Sequence, residues 1–533
     1  MNNSSPLRIA MAQMNPVVGD IKGNADKILD IYDAQKDNSD LIIFSELVIC
    51  GYQPEDLVLH DSFMRTCKAE VERIAANTSS EGPALIIGCP WINEKGERQN
   101  CALFIYDGEI RHIIAKRELP NYGVFDEMRV FRHGKMPEPV SFKGYKFGIG
   151  ICEDFWFSPV AMHLAAQDAD ILISINGSPF EIGKDKKRLE IMRARIRETG
   201  LPAIYVNQVG GQDEVVYDGG SFALNANGDL AYHSMFFYEE CETIMLPFNS
   251  KIEFTPPETN RLIYESLKLG LHDYVTKNGF PGILLGLSGG IDSALSAVIA
   301  VDALGADKVH CVMMPSPYTS QESLDDAATL AENLGCTYDI IPIDPAMQAY
   351  NTMLNSPTGI TAENLQSRIR GMTLMALSNQ SGKMVLSTGN KSEMAVGYAT
   401  LYGDMCGGFN VLKDVYKTQV FELSRWRNEQ DFIMPERIIT RPPSAELAHN
   451  QKDEDSLPPY PVLDKILHGL IEQRKSVNQL TEDRFEKEIV LKIRHLLDRA
   501  EYKRRQAPPG VKITAAAFGR ERRIPMTNHY ENI

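Results

Sequence analysis

Between Ile283 and Ala297 the chain reads ILLGLSGGIDSALSA: an apolar run, a Ser-Gly-Gly turn, then a helix-like segment. No other stretch constrains the fold as much, because a strand that turns through two glycines directly into a helix opens a βαβ unit. The sequence after it keeps that rhythm. Strand candidates GILLGL, KVHCVMMP, YDIIPID and KMVLSTG alternate with helical patterns such as SLDDAATLAENLG and NLQSRIRGMTLMALS. They predict a doubly wound, Rossmann-like parallel sheet with ligands at the carboxyl ends of its strands. The stretch PPSAELAHNQKDEDSLPPYP is acidic and proline-rich and reads as a long loop.

This junction begins more than halfway along a chain of 533 residues, which is too long for a single core. Residues 1–250 follow a different pattern. Strand candidates LRIAMAQ, DLIIFSEL, ALIIGC, YKFGIGIC, DILISIN and PAIYVNQ are interleaved with helical patterns such as FMRTCKAEVERIAAN. Hairpin turns at Asp107-Gly108 and Asn227-Gly228 imply a largely antiparallel or mixed sheet system covered by helices. The proline-rich PFNSKIEFTPPETN breaks this rhythm, giving one domain over 1–250, a linker over 251–260 and a second domain over 261–533.

Composition removes some function classes. A net charge of −16 argues against nonspecific nucleic-acid binding by the whole surface. No stretch of ~18 apolar residues appears, so no membrane span is expected. The N-terminus MNNSSPLRIAMAQMNP lacks a basic flank followed by a long apolar core, so no signal peptide is expected. Nine cysteines without a CxxC pair suggest neither a zinc site nor a disulfide framework, and a reducing cytoplasm fits best.

The glycine loop lacks the lysine of the common GxxxxGK[ST] nucleotide loop. Gly289 and Gly290 allow a tight turn, Ser288 and Ser293 offer hydroxyls, and the N–H groups of the following helix form an anion nest. Asp292 would repel a phosphate unless a divalent cation lay between them, which points to Mg²⁺. Such a cradle suits holding a pyrophosphate leaving group while an acceptor attacks the α-phosphate. SGGxDS resembles the signature of ATP pyrophosphatases, which implies that the loop makes an acyl-adenylate.

An adenylate needs a nucleophile, and three strand ends upstream offer a way to make one. Glu46 lies in IIFSELVICGYQPEDL, Lys116 in IIAKRELPNYGVFDE and Cys152 in FGIGICEDFW. Taken singly, Cys152 reads as a small buried hydrophobe and the other two as solvated charges. Together they suit cleavage of a carboxamide: a thiolate, a base in Glu46, and a cation in Lys116 to stabilise the oxyanion. These contexts, over Leu7 to Phe248, resemble the nitrilase superfamily, whose Glu, Lys and Cys sit on an αββα sandwich.

With the downstream loop, the whole chain resembles the family of glutamine-dependent NAD⁺ synthetases. That resemblance implies a nitrilase-like glutaminase followed by a parallel-sheet ATP-pyrophosphatase domain, an α/β fold throughout. It implies a catalytic triad of Glu46, Lys116 and Cys152, with Tyr122, Ser178 and Lys184 binding L-glutamine. ATP would lie on Gly286, Leu287, Ser288, Gly289, Gly290, Ile291, Asp292 and Ser293, with Thr388, Lys417 and Ser444 as further contacts. Asn364, Arg368, Glu393 and Lys503 would meet deamido-NAD⁺, and Asp292 and Glu393 would hold the Mg²⁺ that accompanies ATP. The implied products are NAD⁺, AMP, pyrophosphate and glutamate, made by a cytoplasmic homo-oligomer. One departure is Leu401 in TLYGDMCGG, where the ammonia-using branch of the family carries a lysine. Related amidotransferases fit less well: this half offers Glu-Lys-Cys rather than Cys-His-Glu, and the chain begins Met-Asn rather than with a nucleophilic cysteine.

Overall fold

Along β1 (Leu7–Gln13) the side chains alternate between two cores: Leu7, Ile9 and Met11 face one, Ala10 and Ala12 the other. This period of two sets the layering of everything before Pro257. The computed structural model describes residues 5–248, 250–443, 446–448, 453–455 and 457–528. It divides into two units, Met1–Pro257 and Glu258–Ile533.

In the first unit β1 is followed by β2 (Leu41–Ile43), β3 (Ala84–Ile92), β4 (Arg98–Tyr106), β5 (Glu109–Ala115), β6 (Val140–Phe142) and β7 (Tyr145–Ile151). Then come β8 (Ile171–Asn176), β9 (Ala203–Asn207), β10 (Val209–Gln212), β11 (Val215–Asp218), β12 (Phe222–Leu224), β13 (Leu230–His233) and β14 (Glu240–Leu246). Two six-stranded mixed sheets result, ordered β14-β1-β2-β3-β4-β5 and β13-β12-β9-β8-β7-β6. Their inner faces share a core that includes Ile9, Ile43 and Ile86 from one sheet and Phe147, Ile149 and Ile173 from the other. Each of these buried side chains contributes roughly 1.5–3 kcal/mol. Helices Ile21–Gln35 and Asp61–Ala76 cover the first sheet, and Ser158–Ala166 and Lys184–Thr199 the second. The layers are αββα.

One expected strand is shorter than its sequence suggests. Of DLIIFSEL only Leu41–Ile43 pairs in the ladder. The chain then crosses over Gly88, where an added Cβ would lie 2.2 Å from the Leu47 nitrogen. That crossing frees Glu46 from the sheet. Because β5 runs antiparallel to β4 and β4 to β3, the carboxyl ends of β2 and β5 share one sheet edge.

The second unit holds β15 (Ile283–Gly286), β16 (Val309–Met313), β17 (Thr337–Ile340), β18 (Met384–Ser387) and β19 (Phe409–Asn410). All neighbours are parallel, in the order β17-β16-β15-β18-β19. Strand order reverses between β15 and β18, the place where such sheets open a crevice. The helix Ile291–Leu304 is apolar nearly all round and is buried accordingly. Helices Tyr460–Ile471 and Lys487–Arg499 build a further core against Lys391–Val396 through Leu463, Ile466, Leu467, Val490 and Ile493. Among the described residues no helix is long and apolar enough to cross a membrane.

Candidate active sites in the two units

In the first unit Glu46, Lys116 and Cys152 each follow the carboxyl end of a strand: β2, β5 and β7. All three are buried, with Glu46 at 0%, Lys116 at 1% and Cys152 at 4% exposure. The Lys116 ammonium donates to Glu46 Oε1 at 2.6 Å and to Glu127 Oε1 at 2.9 Å. Asn100 also donates to Glu46 Oε1, at 2.7 Å, and the Gly177 N–H to Oε2, at 2.8 Å. A carboxylate has about four acceptor positions, so among the described residues three are filled and one remains for a proton.

Cys152 has φ 46°, a left-handed conformation that turns its side chain sharply off β7. Asp154 fixes this turn. Its carboxylate accepts from the Ile151 N–H at 2.9 Å and from the Arg117 and Glu118 N–H groups at 2.9 and 2.7 Å. It therefore ties the residue before Cys152 to the residue after Lys116. Burial raises the Asp154 carboxyl to about 6 against those backbone donors. Burial likewise pushes the Cys152 thiol well above its usual range; the Glu46 charge adds to this and Lys116 opposes it. A thiol held protonated in this way can attack only with the help of a base, and Glu46 is the group whose charge acts on it most strongly. Burial disfavours the Lys116 charge, yet Glu127 and Glu46 outweigh it and hold the ammonium protonated.

Tyr122 and Lys184 lie around Glu153, the residue after the thiol. The Tyr122 hydroxyl donates to the Glu153 carboxylate at 2.9 Å, and the Lys184 ammonium lies 5.8 and 5.9 Å from the Phe125 and Trp156 ring centres. Ser178 is buried beside Gly177, and its hydroxyl accepts from Arg188 at 3.1 Å. Sequence reasoning missed Glu127, Asn100, Glu153 and Arg188. Glu127 sits in FDEMRV with no local pattern to mark it.

In the second unit a cavity of about 280 Å³ lies between the ends of β15 and β18. Gly286 to Ser293, Thr388, Glu393 and Lys417 all line it. Gly289 has φ +80°, and a Cβ there would lie 2.5 Å from the Ser323 carbonyl oxygen, so only glycine fits. The Ser288 and Ser293 hydroxyls brace each other at 3.0 Å. Asp292 and Glu393 both pair with the Lys417 ammonium, and Asn390 donates to Asp292 at 2.9 Å. Asn390 also caps the helix Lys391–Val396 reciprocally with Glu393; NKSE carries that capping signature and would have revealed it. Burial raises Glu393 to about 8, with Asp292 and Asp453 adding to the rise and Lys417 opposing it. Burial opposes the Lys417 charge too, but Asp292 and Glu393 hold it protonated.

Of the other expected contacts, Ser444 lies outside the described residues. Asn364, Arg368 and Lys503 are not in the cavity lining but hold the segment after Lys391–Val396. Asn364 accepts from Thr400 at 2.9 Å, Arg368 donates to the Leu401 carbonyl at 3.2 Å, and Lys503 to those of Gly397 and Ala399 at 2.8 and 2.7 Å. Arg370, Tyr398, Arg441 and Asp453 line the cavity without having been anticipated.

Among the described residues no group of three or more His, Cys, Asp or Glu side chains could hold a metal on protein ligands alone. Asp292 and Glu393 nevertheless fit a magnesium ion, which takes one or two carboxylates and draws its other ligands from phosphates and water. Three acidic groups, Asp292, Glu393 and Asp453, face one ammonium there, and a divalent cation would offset the surplus.

Two family profiles match the chain: carbon-nitrogen hydrolase over residues 8–240 and NAD synthase over residues 263–507. It is similar to the glutamine-dependent NAD(+) synthetase of Rhodobacter capsulatus, 45% identical over 547 residues, covering 98% of this chain and 99% of the relative. It is 44% identical over 534 residues to that of Acinetobacter baylyi, covering 98% of each. The solved glutamine-dependent NAD⁺ synthetase of Acinetobacter baumannii, in complex with ADP, superposes with a TM-score of 0.80. It is 42% identical and covers 98% of this chain and 99% of that one.

Proposed function

The chain belongs to the glutamine-dependent NAD⁺ synthetase family, and from that premise we propose how its two sites divide the chemistry. The enzyme is an ATP-dependent carbon–nitrogen ligase that amidates deamido-NAD⁺ with nitrogen from glutamine. The observation that carries the division is the pairing, on one chain, of a thiol beside a Glu-Lys-Glu cluster with a lysine-free glycine loop.

We assign the glutaminase to residues 1–250 and the synthetase to 261–533, joined by 251–260. The Cys152 sulfur attacks the glutamine carboxamide carbon, and Glu46 takes the thiol proton and passes it to the departing ammonia. Lys116 stabilises the negative oxygen that forms on the way. Water activated by Glu46 then attacks the thioester and releases glutamate. Tyr122, Ser178 and Lys184 hold the substrate amino acid.

In the synthetase the N–H groups from Gly286 to Ser293 cradle ATP phosphates, with Thr388, Lys417 and Ser444 as further contacts. Asn364, Arg368, Glu393 and Lys503 bind deamido-NAD⁺ around the Gly397–Leu401 segment. Asp292 and Glu393 would hold Mg²⁺, which when bound would neutralise phosphate charge. The carboxylate of deamido-NAD⁺ attacks the α-phosphate, pyrophosphate leaves, and ammonia displaces AMP. A cytoplasmic homo-oligomer completes the reading.

The test is a product assay with ATP, deamido-NAD⁺ and either glutamine or ammonium. AMP and pyrophosphate should form with both donors and glutamate with glutamine alone. ADP and phosphate as products would exclude the adenylate.

A further inference from the structure

We propose that Arg188 is a positioning residue for the glutaminase: through the turn Gly177–Pro179 it aims the acceptor position of Glu46 that no described residue fills. The inference rests on the glutaminase reading above and deepens it.

Arg188 lies on the helix Lys184–Thr199, is 2% exposed, and uses every donor it has. Its Nε donates to the Ser178 hydroxyl at 3.1 Å, and one terminal nitrogen to the Ser178 and Pro179 carbonyls, both at 2.8 Å. The other terminal nitrogen reaches both Asp218 oxygens, at 2.8 and 2.9 Å. A guanidinium has five N–H donors, so none is left for substrate. Its planar fork fixes three points of the turn relative to the end of β11, which an ammonium could not do with the same rigidity.

The turn is braced from its other side by Asn207. Its side chain accepts from the Ser178 N–H at 2.9 Å and donates to the Ser178 and Gly219 carbonyls, both at 3.0 Å. Gly177 packs so closely on Tyr52 that an added Cβ would lie 2.6 Å from the ring. Held this way, the Gly177 N–H occupies one position on Glu46 Oε2, while Lys116 and Asn100 occupy Oε1. The remaining acceptor direction on Oε2 therefore follows where Gly177 sits, and Arg188 helps to fix that through the two residues after it. Ser178, expected to meet glutamine, is placed by the same bonds.

Removing Arg188 alone would strand the buried Asp218 charge and could unfold the protein. The test therefore uses two variants of the full chain: Arg188→Lys, and the double variant Arg188→Met with Asp218→Leu, which replaces the buried ion pair by apolar groups. Glutamate release, ammonium-driven NAD⁺ formation and melting temperature are measured for each. In the double variant kcat for glutamate release should fall about 10–100-fold, the scale of small misplacements of a reacting group. The basic limb of its pH–rate profile should move, and KM for glutamine should rise through Ser178. Ammonium-driven synthesis should stay within about twofold, and Arg188→Lys should lie between parent and double variant.

An unchanged kcat and pH profile in a folded double variant would overturn the inference, as would equal losses with both nitrogen donors. If the double variant does not fold, the Lys variant carries the same test, with a full parental kcat and profile as the overturning result. A parent that releases no glutamate would sink the glutaminase reading together with this inference. A working parent with indifferent variants sinks the inference alone.

Discussion

Lys116 in the first unit and Lys417 in the second are buried to 1% and 2% exposure, and each lies between two carboxylates. Each is kept charged by those carboxylates against the pull of burial. Their surroundings differ. Around Lys116 the carboxylates are met by protein donors: Asn100 and the Gly177 N–H on Glu46, and the Tyr52 hydroxyl on Glu127 at 2.7 Å. Around Lys417 Asp453 adds a third acidic group, and the cluster opens on a cavity of about 280 Å³. Under the proposed function, the same Lys-and-two-carboxylates arrangement serves as a closed proton-transfer unit in one place and an unfinished charge cluster in the other. A closed unit should tolerate no change, while an unfinished one should answer to what is bound.

The largest expected effect is at the closed unit. Cys152→Ala or Lys116→Met should lower glutamine-driven NAD⁺ synthesis by about 10³-fold or more, because such groups act as a unit. Ammonium-driven synthesis should persist, since neither side chain belongs to the nucleotide site. Loss of both activities together would show that the two lysine sites do not work separately. Next comes Asp292→Asn. It should lower synthesis with either donor by about 10²-fold, the scale of a lost electrostatic contact in phosphoryl chemistry, while glutamate release continues. Abolished glutamate release would break the separation from the other side.

The sequence made the two sites unequally legible. The glycine loop was readable because its chemistry is local: consecutive backbone N–H groups, a positive φ at Gly289 and a helix start occupy one short stretch. Strand rhythm gave the parallel sheet for the same reason. The thiol site could be read only as three strand ends, since Glu46 and Lys116 follow strands of one sheet and Cys152 a strand of the other, and only the packing of the two sheets brings them together. Glu127 was invisible because it enters from a single-turn helix, Glu127–Val130, with no motif. Arg188 sat in KDKKRLEIMRARIRE, where one buried arginine cannot be told from its solvated neighbours. Lys503 reads as a cation for an anionic ligand, and its ammonium also meets two backbone carbonyls, which no charge pattern announces.

A smaller effect should come from Glu393→Gln. It removes one of three carboxylates around Lys417, so the surplus charge that favours a divalent cation shrinks. The Mg²⁺ concentration for half-maximal synthesis should rise about tenfold, as for loss of one supporting group around a metal, with a smaller fall in the rate at saturating Mg²⁺. Removing Mg²⁺ with a chelator should stop synthesis in the parent and spare glutamate release. An unchanged Mg²⁺ requirement would mean that Glu393 only anchors Lys417 and Asn390.

The smallest effect separates the lysine sites by pH. Burial raises Glu127 from 4.5 to about 7, with Glu46 adding to the rise and Lys116 opposing it. Its Oε2 is buried with no hydrogen-bond partner among the described residues, which leaves room for a proton. A carboxyl whose folded pKa is raised stabilises the fold fully below its unfolded value, and that contribution is lost as pH rises through the folded one. The window therefore runs from 4.5 to about 7. Glu127→Gln imitates the protonated form and does not titrate, so its melting temperature should gain on the parent across that window. Each kcal/mol corresponds to roughly 2–4 °C in a unit of this size. Thermal unfolding of both proteins, followed by a probe in the first unit at several pH values, measures the difference. A gap that stays constant with pH would mean that Glu127 is already ionised against Lys116 at pH 4.5, leaving the closed unit with two charged carboxylates throughout.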